Sequence, residues 1–158
     1  MRALEAGIGV AVLGSVLAVA VPTFVRNMSS SRLVEATSGL ARIDEHALAY
    51  ASGRACADAF PTSAPLTPAI VPRGKAAVDA DPNAWEHPTW KALDFRPVAP
   101  NVAHSYAFAF DQKPGSFIAH AHGDLDGNGT TSTFETHGKC GADGASIAPG
   151  MYVEAEYE

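Results

Sequence analysis

The sequence predicts an α+β chain: a long N-terminal α-helix packed on a small antiparallel β-meander, with extended loops between them. Three observations predict it. Residues 1 to about 52 are rich in Ala, Leu, Val, Arg and Glu, with Pro22 as the only proline. Most of the 14 glycines and 11 prolines fall after residue 50, so the rest of the chain is rich in loops. From 104 to 137, short alternating segments are separated by turn residues, the pattern of a meander.

The helical segment has two characters. From Ala6 to Val25 no residue is charged. A helix of about 20 apolar residues crosses a bilayer core. Beyond Val25, Val34, Leu40, Ile43, Ala47 and Tyr50 recur at helical steps, interleaved with Arg32, Glu35, Arg42 and Glu45. That spacing predicts an amphipathic helix with one stripe to bury, ended by Gly53. The expected division is therefore 1–25, a hydrophobic transmembrane or filament-core half of the helix, and 26–158, a globular head.

Prolines at 61, 65, 68, 72, 82, 88, 97 and 100 exclude long regular elements between 57 and 100. A short helical turn is expected over Ala84–Leu93, with Trp85, Trp90 and Phe95 anchoring a core. Ser105–Phe110 alternates with Tyr106, Phe108 and Phe110 on one face. The turn DQKPGS, a strand over Ser116–His122, the turn GDLDGNG and a third strand over Thr130–Thr136 complete the meander. The tail from Gly138 carries Cys140 and ends in an acidic segment.

Composition narrows the function. A net charge of −6 without a basic patch gives no reason to expect a specific nucleic-acid partner. No nucleophile elbow, phosphate loop or haem motif occurs, so no enzyme is expected. The two cysteines, Cys56 and Cys140, match no metal-binding spacing. In an exported protein such a pair forms a disulfide. Closing a loop of more than half the chain would contribute roughly 4 kcal/mol in the chain-entropy model.

Asp124, Asp126, Asn128, Thr130 (through its carbonyl), Ser132 and Glu135 fit the twelve-residue calcium loop, with Gly129 at the sharp turn. Strands, not helices, are expected on both sides. Two readings therefore stand: a structural calcium site pinning an exposed loop, or a hairpin turn built from residues that tolerate left-handed conformations. No other cofactor is expected. His120 and His122 share a strand face, and a third strand brings His137 near; this is either a two-ligand metal geometry or a polar sheet face.

Glu5 stands one residue ahead of the charge-free run, Gly14 and Ser15 weaken the helix within it, and Pro22 removes a helical hydrogen bond. An acidic residue at 5, glycine at 14 and proline at 22 in this setting resemble the mature N-terminus of type IV pilins and of the related type II secretion pseudopilins. WKALDF, YAFAF and GDLDGNGTTSTFE are also similar to stretches of certain Gram-negative pilins. The resemblance implies a structural subunit, a major pilin before a minor pilin or pseudopilin. It would be held in the inner membrane and then polymerised with itself into an extracellular pilus for adhesion or motility. It implies a pilus assembly machinery and a prepilin peptidase as partners. Met1 would be the N-methylated first mature residue, and Met1, Glu5, Gly14 and Pro22 the assembly residues.

Two alternatives stand beside it. One is a secreted calcium-binding module. The other is a secretory signal peptide with Ala18-Val19-Ala20 as its cleavage site, against which Glu5 and the uninterrupted helical pattern both count.

Overall fold

The structure is a computed structural model that describes residues 32–156. Residues Leu33–Glu158 make one compact unit. The expected membrane-compatible run over 6–25, with Met1, Glu5, Gly14 and Pro22, lies outside the described residues.

Helix α1 is described over residues 32–51. Its buried face is Ala36, Gly39, Leu40, Ile43, Asp44, Ala47 and Ala51, steps of three and four that keep one stripe turned inward. The stripe differs from the one expected. Val34 is 59% exposed and Tyr50 half-buried, while small residues carry the seam. The reason is steric: an ideal Cβ on Gly39 would lie 2.5 Å from Cζ of Phe108.

After the disulfide-bearing 3-10 turn Cys56–Asp58 comes strand β1, Ala64–Thr67. A second 3-10 turn, Ala84–Glu86, leads into α2, Pro88–Ala92. Pro88 opens α2, where its missing N–H costs nothing, and the His87 side chain accepts from the Thr89 amide. Then follow β2 Tyr106–Lys113, β3 Ser116–Gly123, β4 Ser132–Gly141, β5 Gly144–Ile147 and β6 Tyr152–Glu154.

The strands form one six-stranded antiparallel sheet in the order β1-β2-β3-β4-β5, with β6 also paired to β4. This corrects the expected fold class. No helix running from residue 1 is shown, and the sheet is not a small meander but the dominant element of the described chain. Three strands were not expected. β1 is an edge strand with a register irregularity between Ala64 and Thr67, a setting that tolerates a residue such as Pro65. β5 and β6 are short and largely exposed, so they carry no hydrophobic alternation to read. The third expected strand begins at Ser132 rather than Thr130 and runs on to Gly141.

Alternation positions the rest. In β2, Tyr106, Phe108 and Phe110 turn inward; in β3, Phe117, Ala119 and Ala121; in β4, Phe134 and Thr136. Trp85, Trp90, Leu93 and Phe95 close the core beside them, with Phe95 edge-on to Phe108 at 5.2 Å. Glycines on the sheet make room for its aromatic rings. A Cβ on Gly138 would sit 1.9 Å from the Phe117 ring, and one on Gly123 2.6 Å from Tyr106. The β2–β3 register pairs Lys113 with Ser116, so Pro114-Gly115 is a two-residue turn, with Gly115 at φ +75°.

Candidate functional site

The Asp124–Thr130 loop is a chain of turn hydrogen bonds. Asp124 is 1% exposed, and its two oxygens accept the amides of Gly127 at 2.7 Å and Gly129 at 3.1 Å. Asp126 accepts the Asn128 amide at 2.9 Å, and Asn128 accepts the Thr130 amide at 2.6 Å. Short Asx side chains thus replace the missing ladder bonds. Arg73 Nε lies 3.7 Å from the Asp124 carboxylate, and the Gly74 amide donates to the Asp124 carbonyl at 2.7 Å. The proline-rich segment is therefore docked on this loop, with a Cβ at Gly127 only 3.3 Å from Gly74 Cα.

Of the six positions in the calcium pattern, the structure gathers Asp124, Asp126, Asn128 and Thr130 into this network. Ser132 and Glu135 are engaged elsewhere. The Ser132 hydroxyl donates to the Gly123 carbonyl at 3.1 Å. Glu135 lies on β4 opposite His120, and its carboxylate meets His120 Nδ1 at 3.2 Å and His137 Nε2 at 3.6 Å. Among the described residues no group of three or more His, Cys, Asp or Glu is arranged to hold a metal ion.

Glu135 belongs to a polar row on the sheet face away from the core. His120 Nε2 also meets Asp111 at 3.0 Å, so both of its ring nitrogens face carboxylate oxygens. A neutral ring donates from one nitrogen only, so both contacts are hydrogen bonds together only when the ring carries both protons. His122 stacks on His120 with centroids 5.9 Å apart and pairs with the Thr133 hydroxyl. Burial, then the neighbouring His120, lowers the pKa of His122 below the usual histidine value. The histidine-sharing face expected from the sequence is thus present, spent on carboxylates and a hydroxyl.

Cys56 and Cys140 form the expected disulfide, with Cα atoms 5.3 Å apart. It ties the turn after α1 to the end of β4, across 84 residues of chain.

Three carboxylates that tie segments together carry no local motif: Glu35 and Asp44 find their partners far along the chain, and Asp79 draws on both near and distant residues. Glu35 on α1 accepts the amides of Ser105 and Tyr106 at 3.0 and 3.1 Å, at the entry to β2. Asp44 accepts the Thr136 hydroxyl at 2.8 Å between helix and sheet, and burial raises its pKa to about 6. Asp79 joins Trp85 Nε1 and His104 Nε2, each at 2.8 Å, with Arg96 at 3.6 Å. Only Asp44, at an inward step of the α1 stripe, offered a sequence signal.

An apolar groove of about 720 Å³ opens beside β1, lined by Pro65, Leu66, Ile70, Val71, Val78 and neighbours, with Arg73 also on its wall. Among the described residues no helix is long and apolar enough to cross a membrane.

No protein-family model, curated protein or solved structure matches this chain.

Proposed function

We propose that the chain is a structural subunit of a type IV pilus-like filament, a major pilin before a minor pilin or secretion pseudopilin. The observation that carries the reading is the N-terminal register: Glu5 directly ahead of the charge-free run Ala6–Val25, with Gly14 and Pro22 within it. The run has the length to reside in a bilayer before assembly. The head described above suits exposure outside the cell, since it is closed by a disulfide.

In this mechanism the apolar segment of each subunit leaves the inner membrane and joins a bundle of identical segments. The Glu5 carboxylate, buried there, is neutralised by the α-amino group of Met1 of a neighbouring subunit. A buried charge without a partner is strongly unfavourable, so the pair sets axial register more than it adds stability. One contact repeated without closure makes a helical fibre. A prepilin peptidase and an assembly machinery are the implied partners.

The test is substitution at Glu5. Glu5→Ala and Glu5→Gln are expected to leave the subunit in the membrane fraction and remove it from sheared surface material. Equal amounts of wild type and both variants in that material would refute the role given to Glu5.

A further inference from the structure

We propose that Asn128 is a self-modifying site: in the folded head its side-chain amide is lost by ring closure onto the Gly129 nitrogen, leaving aspartate and isoaspartate. The inference does not depend on the filament reading.

Of the four asparagines, only Asn128 is followed by glycine, and both residues are exposed. A residue without a side chain lets its backbone nitrogen approach a neighbouring group closely. A Cβ added at Gly129 would meet nothing within 4 Å, so the loop stands open on that side. The local chain therefore permits closure of a five-membered ring.

The fold adds three contacts, each on an atom that changes in the reaction. The Gly129 N–H, whose proton must leave, donates to the buried Asp124 carboxylate at 3.1 Å. Asn128 Oδ1, which gains negative charge as nitrogen adds to Cγ, accepts the Thr130 amide at 2.6 Å. Asn128 Nδ2, which departs, donates to Asp126 at 2.8 Å. A positioned base, and a hydrogen-bond donor aimed at a developing oxyanion, are two groups that lower such a barrier. Asp124 is held in place by the Gly127 amide at 2.7 Å and by Arg73 at 3.7 Å.

In the reaction the Gly129 nitrogen bonds to Cγ through the face of its amide, and its proton passes to Asp124. The Cγ–Nδ2 bond then breaks. Nδ2 takes a proton from solvent and leaves as ammonia, and Asp124 returns its proton to solvent. Water opens the resulting succinimide at either carbonyl. The net change is an amide and water giving a carboxylate and ammonium, with no oxidant and no enzyme. Opening at the side-chain carbonyl gives aspartate. Opening at the main-chain carbonyl gives isoaspartate, which puts an extra carbon into the backbone and draws the Thr130 amide away from its acceptor. Either product adds one negative charge to the loop on which Arg73 and Gly74 dock.

The experiment follows Asn128 in the purified full-length chain over weeks at neutral pH. Digestion and mass spectrometry with electron-transfer fragmentation separate asparagine, aspartate and isoaspartate at this position, with Asn83 and Asn101 as internal references. The native chain is expected to convert at least about tenfold faster than the same chain unfolded in guanidinium chloride. An equal or slower native rate would overturn the proposal, because the fold would then contribute nothing. Asp124→Asn, checked for an intact sheet by circular dichroism, is expected to bring the native rate down toward the unfolded one. A faster rate in that variant would show that the hydrogen bond shields the Gly129 amide, and would also overturn the proposal. Aspartate without isoaspartate would mean direct hydrolysis of the side chain and would rule out ring closure. If Asp124→Asn does not fold, the comparison of native with unfolded chain decides alone.

Discussion

The Phe108 ring fills the space where a side chain on Gly39 would begin: an ideal Cβ there lies 2.5 Å from Cζ and 2.6 Å from Cε1. Helix and sheet meet at this point because one partner has no side chain and the other has a large one.

Gly39→Ala tests that relationship. On helix propensity alone the change should stabilise by about 1 kcal/mol. Overpacking a fully buried ring costs typically 1–3 kcal/mol. Phe108 is 0% exposed and held by Trp85 and Phe95, so the clash should win. The expected outcome is a net loss of up to about 2 kcal/mol in urea unfolding. A neutral or stabilising result would mean the seam has slack.

Asp44 gives the head a pH dependence. Its folded pKa is raised from 3.8 to about 6, so the native state binds the proton more tightly than the unfolded chain. Its contribution to stability is therefore fully present below pH 4 and is lost as pH rises through about 6. Asp44→Asn keeps an oxygen for the Thr136 hydroxyl and removes the titration. The variant should be more stable than wild type at pH 7, by on the order of 1–2 kcal/mol given partial screening, with the gap closing toward pH 4. A pH-independent gap would assign the effect to packing instead.

Asp79 holds three groups at once, so truncating it should cost more than one hydrogen bond. Asp79→Ala leaves Trp85 Nε1 and His104 Nε2 without their acceptor in a nearly dry site. A loss of about 2–4 kcal/mol is expected in denaturant unfolding. A loss under about 1 kcal/mol would indicate that water replaces the carboxylate.

The aspartate loop should be stable without calcium, because amides already satisfy both Asp124 oxygens. The melting temperature is expected to be the same in chelator and in excess calcium, while Asp124→Ala lowers it in both. A calcium-dependent rise of several degrees in wild type that Glu135→Gln abolishes would restore the twelve-residue calcium reading.

The disulfide joins segments that no regular element connects. Cys56→Ser with Cys140→Ser should lower stability by about 2–5 kcal/mol while leaving the far-ultraviolet dichroism of the sheet. Unchanged chemical denaturation would mean that the loop is already closed by packing.

How much was legible follows from what each residue does. Tyr106, Phe108 and Phe110 announced β2 because one sheet face is covered and large side chains mark it. Large apolar residues at helical spacing point to Val34 and Tyr50 as the α1 seam, yet Val34 is exposed and Tyr50 only half-buried. The close approach to Phe108 instead demands Gly39, with Ala36 beside it on the buried face. β1, β5 and β6 left no signal because edge strands bury too little to alternate. The cysteine pair needed only counting. Glu135 was given to the loop by its position in a local pattern, whereas strand alternation turns it to the outer face beside His120. Glu35 leaves no sequence signal because its partners come from a distant segment, and Asp79 because two of its three partners, Arg96 and His104, lie well beyond its own loop.

The most direct test of the central claim is electron microscopy of sheared surface fibres combined with mass spectrometry of the subunit N-terminus. The account predicts thin fibres composed of this chain, beginning at Met1 with an N-methyl group. A soluble monomer whose first residue is Val21 would contradict it, and would make the N-terminal run a cleaved signal peptide.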